Sequence, residues 1–312
     1  MARTAPVYCG YEAASGLYYE VLGVGGDSSP PCLFIHGGSG TAAVFRVTPD
    51  GRAGWAELLA ADGHPCWLAD WPGMGRSGGP DIVDVDANAV VDGFASLLRD
   101  VIGVPTLIVC HSAGGSIAWR LAELAREYVA GIVALSPSNP GNIGPRADVV
   151  ERSSEAITLR HPQTGIHITV RTDQHYIVTR ETVTSQWIGT STRFPLEHID
   201  AFRHSLVPMP PKLVLQRLGA HGGMPSVADT STFEALWVRI VVPANDPART
   251  LENTLPLVDL FRSWGADGDV IDLAGRGIAG NGHFMFCELN SDEVLDLVLN
   301  EVKGHWKSHP VP

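Results

Sequence analysis

The sequence predicts an α/β fold: a mostly parallel central sheet with helices on both faces, and a cap inserted between two of its strands. Three observations predict it. Short apolar runs alternate with amphipathic stretches from Pro31 to Leu135. That rhythm stops at about Asn139, and it resumes at Val238 and runs on to a final helix. Strands covered on both faces read as continuous apolar runs, and parallel neighbours need crossovers long enough to be helices.

Pro31–His36 (PCLFIH) is the first such strand, ended by a Gly-rich turn. Pro65–Asp70 (PCWLAD) is the second and leads into the loop WPGMGRSGGP. Over Ala87–Val101 the residues Val90, Val91, Phe94, Leu97 and Leu98 recur at helical spacing. Pro105–Cys110 (PTLIVC) is a third strand, and a helix follows at once over Gly114–Tyr128. Gly131–Leu135 is a fourth strand, stopped by Ser136-Pro137. After the gap come a strand at Val238–Val242, a helix over Leu251–Trp264, a strand at Val270–Leu273 and a helix from Ser291. The core is therefore expected in residues 1–138 and 235–312, with 139–234 as the cap. The cap holds β-branched runs (IHITV, HYIVT) and a Pro-rich knot at 207–211. Because core strands resume beyond it, an insertion is favoured over a separate domain.

Of 312 residues, 45% are hydrophobic and 18% charged, the balance of a globular protein. With 22 Lys and Arg against 34 Asp and Glu, the net charge of −12 repels phosphate backbones and anionic lipid. Nucleic acid and membrane are excluded as expected partners, and no apolar run is long enough to span a bilayer. Cys9, Cys32, Cys66, Cys110 and Cys287 are scattered, without zinc-site spacing or a disulfide framework. Together with an N-terminus lacking a long apolar core, this predicts a cytoplasmic protein. Neither a metal nor an organic cofactor is signalled. Oligomeric state is not legible, and a homodimer stays open.

The most informative stretch is Cys110-His111-Ser112-Ala113-Gly114, where a strand passes into a helix through one serine. Small residues two positions to either side let strand and helix close to a sharp turn, which lifts the hydroxyl clear of the sheet. Ser112 is the expected nucleophile, and the Ala113 N–H, at the helix start, is an expected oxyanion donor. Cys110 stands where Gly is usual. The turn His36-Gly37-Gly38-Ser39-Gly40 supplies the second donor, Gly38, while His36 reads as structural. His283, in the loop Gly280-Asn281-Gly282-His283-Phe284, is the expected base, and its glycines suggest a mobile loop. Asp246, between a strand and a helix, is the expected acid; a carboxylate that only turns the chain before Pro247 remains the alternative. Tyr176, Trp187, Phe194, Phe202 and Met209 either line an apolar pocket or pack inside the cap. Arg171, Arg180 and Arg203 read as a solvated face.

These residues resemble the α/β-hydrolase superfamily over nearly the whole chain, and Asp70-Trp71-Pro72-Gly73-Met74-Gly75-Arg76-Ser77 is similar to its bracing D-x-PG-x-G-x-S loop. A narrower likeness lies in TPDGRAGW (48–55) and GNGHFM (280–285), which look like a group of bacterial serine carboxylesterases that includes herbicide de-esterifying enzymes. The resemblance implies hydrolysis of a small-molecule carboxylic ester through an acyl-enzyme, by a Ser-His-Asp triad without cofactor. In that group the acid is a Glu just after the strand that follows the elbow helix. Here that stretch reads Leu135-Ser136-Pro137-Ser138-Asn139, so the acid is expected at Asp246, the usual superfamily site. A serine at the elbow argues against dehalogenase and epoxide-hydrolase chemistry, which use a carboxylate nucleophile. Lactone, amide and C–C bond hydrolysis remain open with the same triad, as does a receptor or cofactor-free lyase on the same fold.

Overall fold

The computed structural model describes residues 6–24, 30–146, 148–160, 165 and 167–308. Among them, eight strands form one sheet in the order β1 (Tyr8–Tyr11), β2 (Tyr18–Leu22), β4 (Cys66–Ala69), β3 (Cys32–Ile35), β5 (Thr106–His111), β6 (Val129–Leu135), β10 (Trp237–Val242), β11 (Asp267–Asp272). From β4 to β11 all pairings are parallel, whereas β1–β2 and β2–β4 are antiparallel. The register sets Phe34 opposite both Leu68 and Val109.

Every residue of β3, β4 and β5 is buried, because helices cover both faces. Side chains alternate across a strand, so each strand feeds two cores. Leu33, Ile35 and Ile108 pack with Phe94 of α2 (Ala87–Ser96), Ile117 of α3 (Ala113–Leu124) and Phe261 of α6 (Leu251–Ser263). Cys32, Phe34 and Val109 pack on the other side with Trp55 of α1 (Trp55–Ala61) and Val298 of α7 (Ser291–Ser308). Four of the five cysteines are buried, and Cys9 is exposed.

The expected strands and helices are present, with shifted ends. The helix expected over Ala87–Val101 is α-helical to Ser96 and continues as a π turn from Leu97 to Ile102. The strand expected at 270–273 starts earlier, at Asp267. The hairpin β1–β2 is unheralded: three of the four β1 residues are exposed, leaving no apolar alternation to read. Between β6 and β10 the chain forms a separate antiparallel sheet of β7 (Asp148–Arg152), β8 (Ala156–Arg160) and β9 (His167–Arg171), with short helices α4 (Ile199–His204) and α5 (Pro211–Arg217). All of β7 is exposed, which hides it in the same way. The run IHITV becomes β9, except Ile166, which lies outside the described residues, as do the first five residues of the N-terminus.

The small residues around Ser112 are dictated by packing. A Cβ on Gly114 would come within 2.7 Å of the Ile35 and His36 carbonyl oxygens, and one on Gly115 within 2.5 Å of Pro137 Cβ. Gly115→Val is expected to cost about 1–3 kcal/mol, as overpacking does in a filled interior. A denaturation midpoint equal to that of the unmodified chain would show that α3 has room to shift.

Asp70, fully buried after β4, ties three segments together. Its carboxylate accepts from Ala42 N at 2.8 Å, Arg76 N at 3.0 Å and Arg76 Nε at 2.9 Å. Arg76 also pairs with Glu20 of β2 at 3.0 Å, joining the antiparallel edge to the loop. Burial pushes the Asp70 carboxyl up, but the Arg76 hydrogen bond and the charges of His36 and Arg76 outweigh it and hold it below its ordinary value. A carboxylate with a depressed pKa stabilises the fold above the unfolded value of about 4, and that stability is lost as the pH falls through the folded value. Asp70→Ala is therefore expected to cost about 3 kcal/mol at neutral pH, near the lower bound for breaking a buried pair because Glu20 still holds Arg76. Its penalty should shrink as denaturation curves are taken below pH 4; a constant penalty would show that Asp70 acts by packing alone.

Candidate active site

Ser112 sits between the last residue of β5 and the first of α3, with φ 51° and ψ −122°. A side-chain-bearing residue held there costs on the order of 1–3 kcal/mol, and such strain concentrates where a group must be aimed. The turn is locked by Ser112 N donating to Leu135 O at 3.1 Å and by Ser138 N and Gly115 N donating to Ser112 O.

The structure brings Ser112, His283 and Asp246 into one hydrogen-bonded chain. Ser112 Oγ lies 3.0 Å from His283 Nε2, and His283 Nδ1 lies 2.6 Å from Asp246 Oδ2. A carboxylate only accepts, so Nδ1 carries the proton and Nε2 is left to accept from the serine hydroxyl. Asp246 Oδ1 accepts from Ala248 N at 3.0 Å and Arg249 N at 3.2 Å. Burial pushes this carboxyl up, yet the charge and hydrogen bond of His283, with Arg249 and the Ala248 amide, bring it to about 2. It is ionised at any ordinary pH. The loop turn before Pro247 and the contact with His283 thus coexist in one residue. No carboxylate stands at 135–139.

Gly38, in the turn after β3, and Ala113, the first residue of α3, are the expected amide donors, and neither N–H is engaged by another described residue. The approach is closest at Gly37, where a Cβ would lie 3.0 Å from Ser112 Cβ and 2.9 Å from His111 Nδ1. His36 is structural: it accepts from Trp71 N at 3.1 Å through Nε2, and its Nδ1 donates to Gly37 O at 2.8 Å.

The glycines at 280 and 282 serve packing rather than motion. A Cβ on Gly282 would meet Ser191 Cβ at 2.7 Å, and Gly280 has φ +88°. Glu288, buried beneath the loop, accepts from Gly282 N at 3.0 Å, Asn281 Nδ2 at 2.8 Å and Ser191 Oγ at 2.6 Å. Asn245 N donates to Asn281 O at 2.8 Å, so the Asp246 loop and the His283 loop are joined directly. The TPDGRAGW stretch braces the same region: Arg52 donates to Glu288 O and Trp55 Nε1 to Ser291 O. His111 holds the loop from below, donating from Nε2 to His283 O at 3.0 Å. Burial, then the neighbouring His283, keeps the His111 pKa well below its usual value, so the ring is neutral. Glu288 and His111 have no sequence signature, since their partners come from distant segments.

A cavity of about 300 Å³ opens above the three side chains, and a second of about 440 Å³ adjoins it, sharing Gly38, His111 and Phe284. Tyr176, Trp187 and Met209 line the first and Phe202 the second. Phe194 instead packs on Phe202, with ring centroids 5.3 Å apart. Arg171 pairs with Glu155 and Asp173, Arg203 pairs with Asp200, and Arg180 is exposed. The arginines that do reach the first cavity are Arg217 and Arg249, which the sequence does not single out.

Several folds assemble a hydroxyl, an imidazole and a carboxylate. The order along this chain, Ser112 then Asp246 then His283, at the ends of parallel strands, is that of an α/β hydrolase. The chain belongs to the alpha/beta hydrolase family, whose profile matches residues 32–297. A fungal protein named "Probable secreted lipase" is 24% identical over 88% of this chain and 81% of its own length. Epoxide hydrolase 1 of Caenorhabditis elegans is 31% identical over 39% of this chain and 28% of its own length. Among solved structures, a methylesterase of Arabidopsis superposes with a TM-score of 0.58 at 16% identity, over 88% of this chain and 99% of that one. No helix among the described residues is long and apolar enough to cross a membrane.

Proposed function

We propose that this chain is a serine hydrolase that cleaves a small-molecule carboxylic ester through an acyl-enzyme, with Ser112 as nucleophile, His283 as general base and Asp246 as the acid that orients it. The hydrogen-bonded chain from Ser112 Oγ through His283 to Asp246, on a strained strand-to-helix turn, carries the reading. Ser112 Oγ attacks the ester carbonyl while its proton passes to His283 Nε2, and Asp246 stabilises the imidazolium. The N–H groups of Gly38 and Ala113 receive the oxyanion. His283 then protonates the departing alcohol and later takes a proton from the water that releases the acid. Nothing in this sequence of steps requires a cofactor.

Residues 139–234 act as the cap, since Tyr176, Trp187 and Met209 line the cavity over Ser112. The partial likeness to an epoxide hydrolase does not favour that chemistry, because the elbow holds a hydroxyl rather than a carboxylate. The relative named a secreted lipase and the methylesterase act, by their names, on esters. A cytoplasmic site of action rests on scattered cysteines, none of them paired among the described residues, and the secreted relative counts against it.

The test is turnover of short and bulky aryl esters, with intact mass measured after exposure to a fluorophosphonate. Turnover with one adduct supports the reading. An adduct without turnover of any ester would overturn the ester assignment, and no adduct would overturn the nucleophile.

A further inference from the structure

Arg217 ends α5, and Arg249 lies three residues beyond Asp246; both line the cavity that holds Ser112 and His283. The Nε atom of each is sealed from solvent and has no hydrogen-bond partner among the described residues. The Arg217 side chain makes no hydrogen bond or ion pair to any described residue. The Arg249 guanidinium donates, among the described residues, only to neutral acceptors, Ala248 O at 3.2 Å and Ser138 Oγ at 3.3 Å. Asp246 is the sole carboxylate among the residues described as lining this cavity, and it already serves His283. Two guanidinium groups thus face one committed carboxylate, inside a protein whose net charge is −12.

Withdrawing a cation from water without a counter-ion is costly, and unsatisfied buried polar groups in folded proteins usually have a reason. The planar guanidinium matches a carboxylate through paired N–H···O bonds, which gives direction as well as energy. The adjoining cavity is of opposite character, lined by Ala43, Val44, Val47, Phe202 and Leu206. The two cavities meet at Gly38, beside Ser112, so a substrate reaching both has one charged and one apolar arm.

We propose that the substrate is an ester that carries a free carboxylate, bound by Arg217 and Arg249, with an apolar arm in the neighbouring cavity. This rests on the hydrolase reading above and narrows it. The carboxylate belongs either to the acyl arm, as in a monoester of a dicarboxylic acid, or to the alcohol arm.

Two matched pairs of substrates separate these. The first is a monoaryl glutarate against its methyl-capped neutral analogue; the second is carboxyphenyl butyrate against its neutral methyl ester. A kcat/KM at least tenfold higher for the anionic member is expected in one pair, and the pair identifies the arm. In Arg217→Met that preference should fall toward one through a rise in KM, and Arg217→Lys should restore part of it. Should Arg217→Met fail to fold, free glutarate is expected to inhibit neutral-ester hydrolysis by the unmodified chain competitively, where the uncharged diamide does not. Neutral esters cleaved with no anionic preference in either pair, or equal inhibition by acid and diamide, would overturn the proposal and leave the hydrolase reading standing. Failure of every ester together with no fluorophosphonate adduct would overturn both.

Discussion

Ser112→Ala is expected to abolish ester turnover, with kcat falling on the order of 10⁶-fold, about 8 kcal/mol of barrier. The alanine methyl cannot attack, and His283 Nε2, 3.0 Å from Oγ, loses the proton donor that it faces. What remains is binding by the amides of Gly38 and Ala113, which act on water only weakly. The fold should be retained, because the Ser112 side chain makes a hydrogen bond only to His283 and the turn is held by backbone groups. Thermal midpoints within a few degrees, together with loss of the fluorophosphonate adduct, would complete the result. Turnover near that of the unmodified chain would remove Ser112 from the chemistry. Ser112→Gly sharpens the test: at φ 51° and ψ −122° glycine relieves strain, so this variant should be inactive and no less stable.

The parts of the molecule that can be read from sequence are those whose signal is local. Strands β3, β4 and β5 are uninterrupted apolar runs because both faces are covered. The turn at Ser112 announces itself because close approach forbids side chains at Gly114 and Gly115. Asp246 is legible only as a carboxylate in the right interval; its separation of 2.6 Å from His283 Nδ1 depends on how two loops meet through Asn245 and Asn281. Glycines at 280 and 282 look like flexibility in one dimension and are close packing in three. Strands β1 and β7, mostly or wholly exposed, have no buried face to imprint a period on the sequence. Arg217 and Arg249 look like any surface arginine until the surrounding chain seals their Nε atoms beside Ser112. What specifies a substrate in this fold is assembled from remote segments, and this is where reading along the chain fails.

Asp246→Asn is expected to lower kcat by about 10⁴-fold while the protein stays folded. The surroundings of this side chain say why. Oδ1 accepts from two backbone amides, Ala248 N and Arg249 N, and Oδ2 accepts from His283 Nδ1. An asparagine has one accepting oxygen. Leaving that oxygen on the two amides turns its NH₂ toward His283 Nδ1, so the ring must accept there and carry its proton on Nε2. In that tautomer Nε2 cannot take the proton from Ser112, and attack fails. The opposite flip would set NH₂ against two N–H donors, so the chain around Asp246 enforces the inactive arrangement. The carboxyl of the unmodified chain, at about 2, stays charged through the whole working range, and no acid limb above pH 3 should trace to it. Fluorophosphonate labelling of Ser112 should slow in parallel with turnover, since both need the activated hydroxyl. A loss under tenfold, about 1.4 kcal/mol, would show that another group orients His283 and that Asp246 only turns the chain before Pro247.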